Sequence, residues 1–423
     1  MWFVGLWYNA VIYEKKGVIM AVKKESSFEI MRKKNIQAVY RTLVEHHPIS
    51  RVEIAQKTGL NKMTVTNCVR SMMEAHLVVE CESAEVVVGR PPILLNLNPN
   101  YGLLLGIEMN IISCKVQVME FDGTILEQRV VSEVAEDPEH FLEFISLLEQ
   151  EYREKQRESL HGLLGIGIAL PGNYNYDSGC VEYISNMQVW NGFPIRQRLE
   201  EILPGVPLLI QNAARAEATG ELAFGGMPNS TDVIYINGAM GLALSMYSRG
   251  GMHVGYRGFN GRFGHNIIMV GGRECACGNR GCLEMYASTR SICNRLYPGK
   301  KIDDRMLREI VERRKLRDPE VQDALMECVK YLAVGLGNII NSFNPGKVCI
   351  GNYLGVLLDS YEEDLNREVS QYLLPHYRED RKIILSPLDI WGASLGSAAH
   401  VRNYYFEHWL TTEVTENKTT ARN

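Results

Sequence analysis

The sequence predicts a small winged helix-turn-helix domain followed by a larger α/β domain. Two short, well-capped helices joined by a glycine turn stand near the amino end. From residue 99 onward, β-rich runs alternate with helical ones. At 423 residues, with 46% hydrophobic and 22% charged residues, the chain can build more than one core, and length and composition exclude a disordered or fibrous protein.

The leader "MWFVGLWYNAVIY" is apolar but too short to span a bilayer, and its lysines follow it where an export signal would carry them in front. We read residues 1–19 as a non-native or disordered leader, with Met20 as the alternative start. Ten cysteines are present, but only Cys275, Cys277 and Cys282 cluster, so the expectation is a reducing cytoplasm with no disulfide framework and no membrane association.

Residues 20–98 carry the DNA-reading pattern. "NIQAVYRTLVE" spaces Ile36, Val39, Tyr40, Leu43 and Val44 for one packed helix face. Ser50 and Glu53 form a capping-box pair, Gly59 ends that helix, and Asn61 caps the next, "KMTVTNCVRSMMEAHL". Two β-rich runs then flank Gly89-Arg90-Pro91-Pro92, as in a wing. Lys62, Thr64, Thr66, Asn67 and Arg70 on the second helix, Arg51 at the start of the first and Arg90 in the wing are the candidate contacts to double-stranded operator DNA. This segment has a small net positive charge whereas the whole chain stands at -5, which fits DNA held by one end only. Helix trios of this kind also serve as protein-docking modules, and any one of these polar residues also suits a plain solvated face.

Beyond Asn98, "YGLLLGIEMNIISCKVQVMEFDGTILEQRV" reads as strands joined by a tight turn at Asp122-Gly123. A helix over 138–158, the strand "LLGIGIALPG", a helix near "PIRQRLEEIL", the strand "PLLIQN" and the helix "ARAEATGELAFG" follow. Val321 to Phe343 is apolar around most of a helix circumference and is expected to be buried core. The polar tail 411–423 is expected to be disordered.

His265, Cys275, Cys277 and Cys282 offer one imidazole and three thiolates in a Cys-x-Cys-x4-Cys arrangement, a closed tetrahedral set suited to structural Zn2+. Such a site has no open position for an activated water.

The stretch "HNIIMVGGRECACGNRGCLEMYAS" resembles the signature of the ROK family of repressors and sugar kinases. "GIGIALPG", "SNMQVWNG", "QNAARAEATGE", "GYRGFNGRFGH", "NIINSFNPGKVCIGN" and "GASLGSAA" fall in family order over about 103–404. The resemblance implies a two-lobed sugar-kinase fold (actin-like ATPase, ribonuclease H-like) over 99–410. It implies that zinc braces the sugar-binding region, and that Asn212, His265 and Glu284 face a sugar, with Asn186 at the edge. The kinase parts depart from the family pattern. The Asp-x-Gly-Gly-Thr turn reads Glu108-Met109-Asn110-Ile111-Ile112, and Gly-Thr-Gly-Ile-Gly reads Ala239-Met240-Gly241-Leu242-Ala243. Asn-Asp, which supplies the general base, reads Asn212-Ala213, and alanine accepts no proton.

The expectation is therefore a non-enzymatic sensor that needs no ATP, within a repressor of carbohydrate genes, xylose metabolism among them, acting as a homodimer or homotetramer. Arg262 replaces a family acid and Arg215 a family asparagine, which turns the pocket basic and favours a sugar phosphate or sugar acid over a neutral sugar. In the competing reading Arg262 is an internal strut paired with Glu217, Glu221 or Glu284. An active kinase with unusual motifs and a ligand-independent DNA-binding protein remain the rival functions.

Overall fold

A computed structural model describes residues 26–81, 93–110, 112–155, 159–184, 187–227, 230–378 and 382–420. The amino-terminal unit runs α1 (Ser27–His46), β1 (Ile49–Ser50), α2 (Arg51–Thr58), α3 (Lys62–Glu74), β2 (Val78–Cys81) and β3 (Leu94–Leu97), with the strands in the order β1-β3-β2. The local signals act as expected. Ser50 accepts from the Glu53 amide while the Glu53 carboxylate accepts from the Ser50 amide, Gly59 ends α2 at φ 70°, and Asn61 accepts from the Thr64 amide. The expected wing, with Arg90, lies outside the described residues.

The first lobe contains β4 (Leu103–Met109), β5 (Ser113–Glu120), β6 (Ile125–Ser132), α4 (Pro138–Lys155), β7 (Leu163–Leu170), the hairpin β8 (Asn173–Asn175) and β9 (Cys180–Tyr183), α5 (Ile195–Ile202), β10 (Leu208–Asn212) and α6 (Ala213–Phe224). Its main sheet is ordered β6-β5-β4-β7-β10; the first three strands are antiparallel, and β7 and β10 continue in parallel.

The second lobe repeats this plan. It comprises β11 (Asp232–Asn237), β12 (Ala243–Ser248), β13 (Gly251–Met252), α7 (Glu284–Ala287), α8 (Thr289–Leu296), α9 (Asp304–Lys315), α10 (Pro319–Phe343), β14 (Lys347–Gly351), α11 (Asn352–Leu357), α12 (Glu362–Ser370) and β15 (Lys382–Leu385). Its sheet is β13-β12-β11-β14-β15, again three antiparallel strands followed by two parallel ones. Helix α10 is central to this lobe's core, as its apolar circumference predicts: Val321, Leu325, Leu332 and Leu336 are fully buried. No helix among the described residues is long and apolar enough to cross a membrane.

The last helix, α13 (Gly392–Thr420), returns to the first lobe and packs on β4, β7 and α6. It continues past Leu410, so most of the tail expected to be disordered is an extension of this helix. A shared apolar cluster joins Ile36, Val39, Tyr40 and Leu43 of α1 to Leu104, Leu164, Val401 and Phe406 of the first lobe. The amino-terminal unit is thus seated on α13 through continuous core, with Tyr40 stacked on Phe406 at 3.5 Å.

Candidate effector cleft, metal cluster and reading face

Helix α3 buries Val65, Cys68, Val69 and Met72 at helical spacing, which turns Lys62, Asn67 and Arg70 outward and leaves Thr64 and Thr66 half-buried. Thr66 Oγ1 donates to the Lys62 carbonyl at 2.8 Å, and Arg70 donates to Asn67 Oδ1 at 2.7 Å, so these two pairs preset the outer face. Exposed Met63 belongs to this face too. The sequence reading passed over it because an apolar residue beside a helix cap reads as core. Arg51 does not hang free: it pairs with Glu80 on β2 at 2.8 Å and braces the unit.

A cleft of about 560 Å³ opens between the lobes. Asn212, Ala213, Arg262, His265 and Glu284 all line it, whereas Asn186 lies outside the described residues. Asn212 caps α6 by accepting from the Ala214 amide at 3.0 Å and donates to the Gly172 carbonyl at 2.8 Å, so it ties the two loops at the mouth. Ala213 follows as the first residue of α6 and offers the cleft only a methyl group.

The two arginines part company. Arg215 is 7% exposed and is not among the cleft-lining groups. Its guanidinium donates to Tyr176 Oη at 2.7 Å, to the Gly258 carbonyl at 2.7 Å and to Asn260 Oδ1 at 3.1 Å. It is a strut under the cleft wall, which corrects the expectation that it meets the ligand. Arg262 lines the cleft and has no hydrogen-bond or ion-pair partner among the described residues. Burial lowers its pKa while the Glu284 carboxylate opposes that shift. Two of the three strut partners are engaged elsewhere: Glu217 accepts from Asn237 at 2.6 Å, and Glu221 accepts from the Gly226 amide at 2.9 Å and from Ser386, while Glu284 is the carboxylate whose charge acts on Arg262.

Beneath Glu108, on the floor of the cleft, lies a buried polar network. Glu108 on β4 pairs with Lys115 on β5 at 2.9 Å, both side chains at most 1% exposed. Asn352 reaches over from the second lobe to donate to Glu108 at 3.2 Å and to Glu217. Burial, and then the Glu108 charge, push the Glu217 carboxyl up to about 8, so it holds its proton at neutral pH. Met240 and Leu242, which replace phosphate-loop residues, are buried in the second lobe's core.

The ligand atoms of His265, Cys275, Cys277 and Cys282 all lie within 4.8 Å of one another. Tetrahedral zinc with sulfur at about 2.3 Å and imidazole nitrogen at about 2.0–2.1 Å requires edges of about 3.8 Å between sulfurs and about 3.5 Å between sulfur and nitrogen. The cluster shows 3.7 Å between the Cys277 and Cys282 sulfurs and 3.6 Å between Cys275 Sγ and His265 Nδ1. The four groups therefore fit a metal held in a closed set. Glu284 Oε1 stands 3.3 Å from Cys275 Sγ and 3.5 Å from His265 Nδ1, which ties the cluster to the cleft wall.

Comparison with known proteins agrees with this geometry. The xylose repressor of Bacillus spizizenii is 29% identical over 383 residues, covering 90% of this chain and 97% of that protein. A solved ROK family transcriptional regulator, a homolog of the E. coli MLC protein, superposes with a TM-score of 0.71 at 24% identity, over 91% of this chain and 99% of the other. A ROK family glucokinase from Streptomyces griseus, in complex with glucose and AMPPNP, superposes with a TM-score of 0.62 at 23% identity, over 71% of this chain and 100% of its own. Residues 104–403 match the ROK family, which covers both lobes, and the chain belongs to that family.

Proposed function

We propose that this protein is a DNA-binding repressor of sugar-metabolism genes whose ROK domain senses a sugar derivative without phosphorylating it. The carrying observation is the composition of the cleft: Asn212, His265 and Glu284 line it, Ala213 offers no base, and Glu108 on its floor is engaged by Lys115 and Asn352. Full-length similarity to a xylose repressor supports the regulatory half of the reading.

In this reading residues 20–98 form a winged helix that places α3 in the major groove of operator DNA. Lys62, Thr64, Thr66, Asn67 and Arg70 make the contacts, and Arg90 enters the minor groove from the wing. A homodimer or homotetramer supplies the two half-sites that a single reader lacks. The metal is zinc, a brace for the cleft wall, and the protein works in the cytoplasm. Unpaired Arg262 favours an anionic effector, a sugar phosphate or sugar acid, because a guanidinium pairs with such groups through two parallel hydrogen bonds.

The test is operator affinity at fixed salt with and without neutral, phosphorylated and acidic sugars. A shift by an anionic sugar that disappears in Arg262→Ala supports the reading, and a shift by neutral sugars alone refutes its anionic part. Sugar-dependent ADP release in a coupled assay would establish the rival kinase.

A further inference from the structure

Helix α3 turns one side directly away from the core of its unit. Buried Val65, Cys68, Val69 and Met72 define the inner face, and the helical repeat places Met63, Asn67, Arg70 and Glu74 on the stripe opposite. All four are exposed. Met63 lies closest to the middle of that stripe, at the second position of the helix, and is 68% exposed among the described residues.

An apolar side chain aimed this way contributes nothing to the fold. The core of the unit is closed on the other side of α3 by Ile36, Val39, Leu43 and Ile54. The neighbours of Met63 are instead outward cations, Lys62 and Arg70, and their charge suits a polyanion rather than an apolar protein surface. The start of the helix is also fixed: Asn61 Oδ1 accepts from the Thr64 amide at 2.8 Å, and Arg70 donates to Asn67 Oδ1 at 2.7 Å. Glu74, the acid of the stripe, is the last residue of α3, so the amino-terminal end can approach phosphates without it.

We propose that Met63 determines operator specificity by packing on the C5-methyl group of a thymine in each half-site. The inference rests on the DNA-reading role given above and names what one residue of that face reads. Base edges in the major groove present hydrogen-bond donors and acceptors, and the thymine methyl is the apolar feature among them. A thioether side chain offers the polar edges no donor, whereas its flexible, polarizable end adapts to a methyl group. Lys62 and Arg70 then supply the phosphate attraction, and Met63 supplies the discrimination.

The test begins with sites selected by the full chain from random double-stranded DNA at fixed salt. Each thymine of the selected site is replaced in turn by deoxyuridine, which pairs identically but lacks the methyl. The expected result is a loss of about fourfold in affinity at one thymine per half-site. In Met63→Ala that thymine-to-deoxyuridine difference should vanish, whereas Met63→Leu should keep it. The melting temperature and the slope of log affinity against log salt should stay as in the wild type in both variants, because the side chain is uncharged and outside the core. A deoxyuridine penalty of the same size in Met63→Ala, or none at any thymine, overturns the proposal and leaves the repressor reading standing. Failure to select any DNA overturns both.

Discussion

Substituting Cys282 by serine removes the most deeply buried ligand of the metal cluster, and the structure indicates how far the damage spreads. Between His265 and Leu283 the chain has only two isolated β-bridges, Ile267 with Cys282 and Glu274 with Arg280, and short turns. Gly281 sits at φ 82°, where a Cβ would fall 1.7 Å from the Met269 carbonyl oxygen, so the loop folds back on itself with little regular structure to hold it. Structural zinc contributes roughly 10–16 kcal/mol of apparent binding energy at neutral pH, comparable with the whole stability of a domain at about 5–15 kcal/mol. Losing one ligand of four forfeits most of that. Cys282 also adjoins Leu283, which is fully buried in the second lobe's core, so loosening spreads inward. The expected outcome for Cys282→Ser is a fall in zinc from one equivalent per chain to a small fraction. Hydrogen exchange should rise sharply across 263–287 and at the cleft wall, while α1 and α3 keep their protection. Wild-type chain purified without metal, with unchanged melting after chelator dialysis, would refute the reasoning.

Four further outcomes follow from the same geometry. Lys62→Ala and Arg70→Ala should each weaken operator binding and reduce the slope of log affinity against log salt by about 1, measured by titration at several salt concentrations. Lys115→Met strands the Glu108 carboxylate and should cost about 3–5 kcal/mol in denaturant unfolding, whereas Glu108→Gln with Lys115→Met should recover most of it. Glu217 keeps a proton to about pH 8 in the fold that the unfolded chain releases near 4.5, so its contribution is full below 4.5 and is lost as pH rises through 8; Glu217→Gln should flatten that fall in melting temperature. Ala213→Asp supplies a carboxylate but not the glycine-rich turns that the kinase pattern requires, so ADP release should stay at background.

What the sequence revealed was local, and what it hid was distant. Ser50, Glu53, Gly59 and Asn61 act within one helical turn of themselves, so the reader's helices could be placed from spacing alone. The metal ligands fall within 18 positions of one another for the same reason. Arg215 looked like a ligand contact because its partners Tyr176, Gly258 and Asn260 lie 39 to 45 positions away. The floor network was equally hidden, since Asn352 meets Glu108 across 244 positions. Charge count alone could not separate Arg262, which faces the cleft, from Arg215, which does not.

Helix α13 connects these parts physically. It approaches both strands and α6 so closely that a Cβ at Gly106 would lie 2.0 Å from the Ser394 carbonyl oxygen, at Gly167 2.1 Å from that of Ser397, and at Gly220 2.4 Å from that of Gly392. From the other side, a Cβ at Gly396 would lie 1.7 Å from the Ala216 carbonyl oxygen. Packing this tight has no slack in which to absorb a displacement. Helix α6 begins at Asn212 and Ala213 in the cleft wall, crosses α13, and ends at Phe224 against Arg402. The helix α13 in turn carries Phe406 against Tyr40 of the reader. A ligand that draws on Asn212 therefore acts on a contiguous stack of packed elements ending at α1, and ligand-dependent operator affinity measures how much of that force arrives.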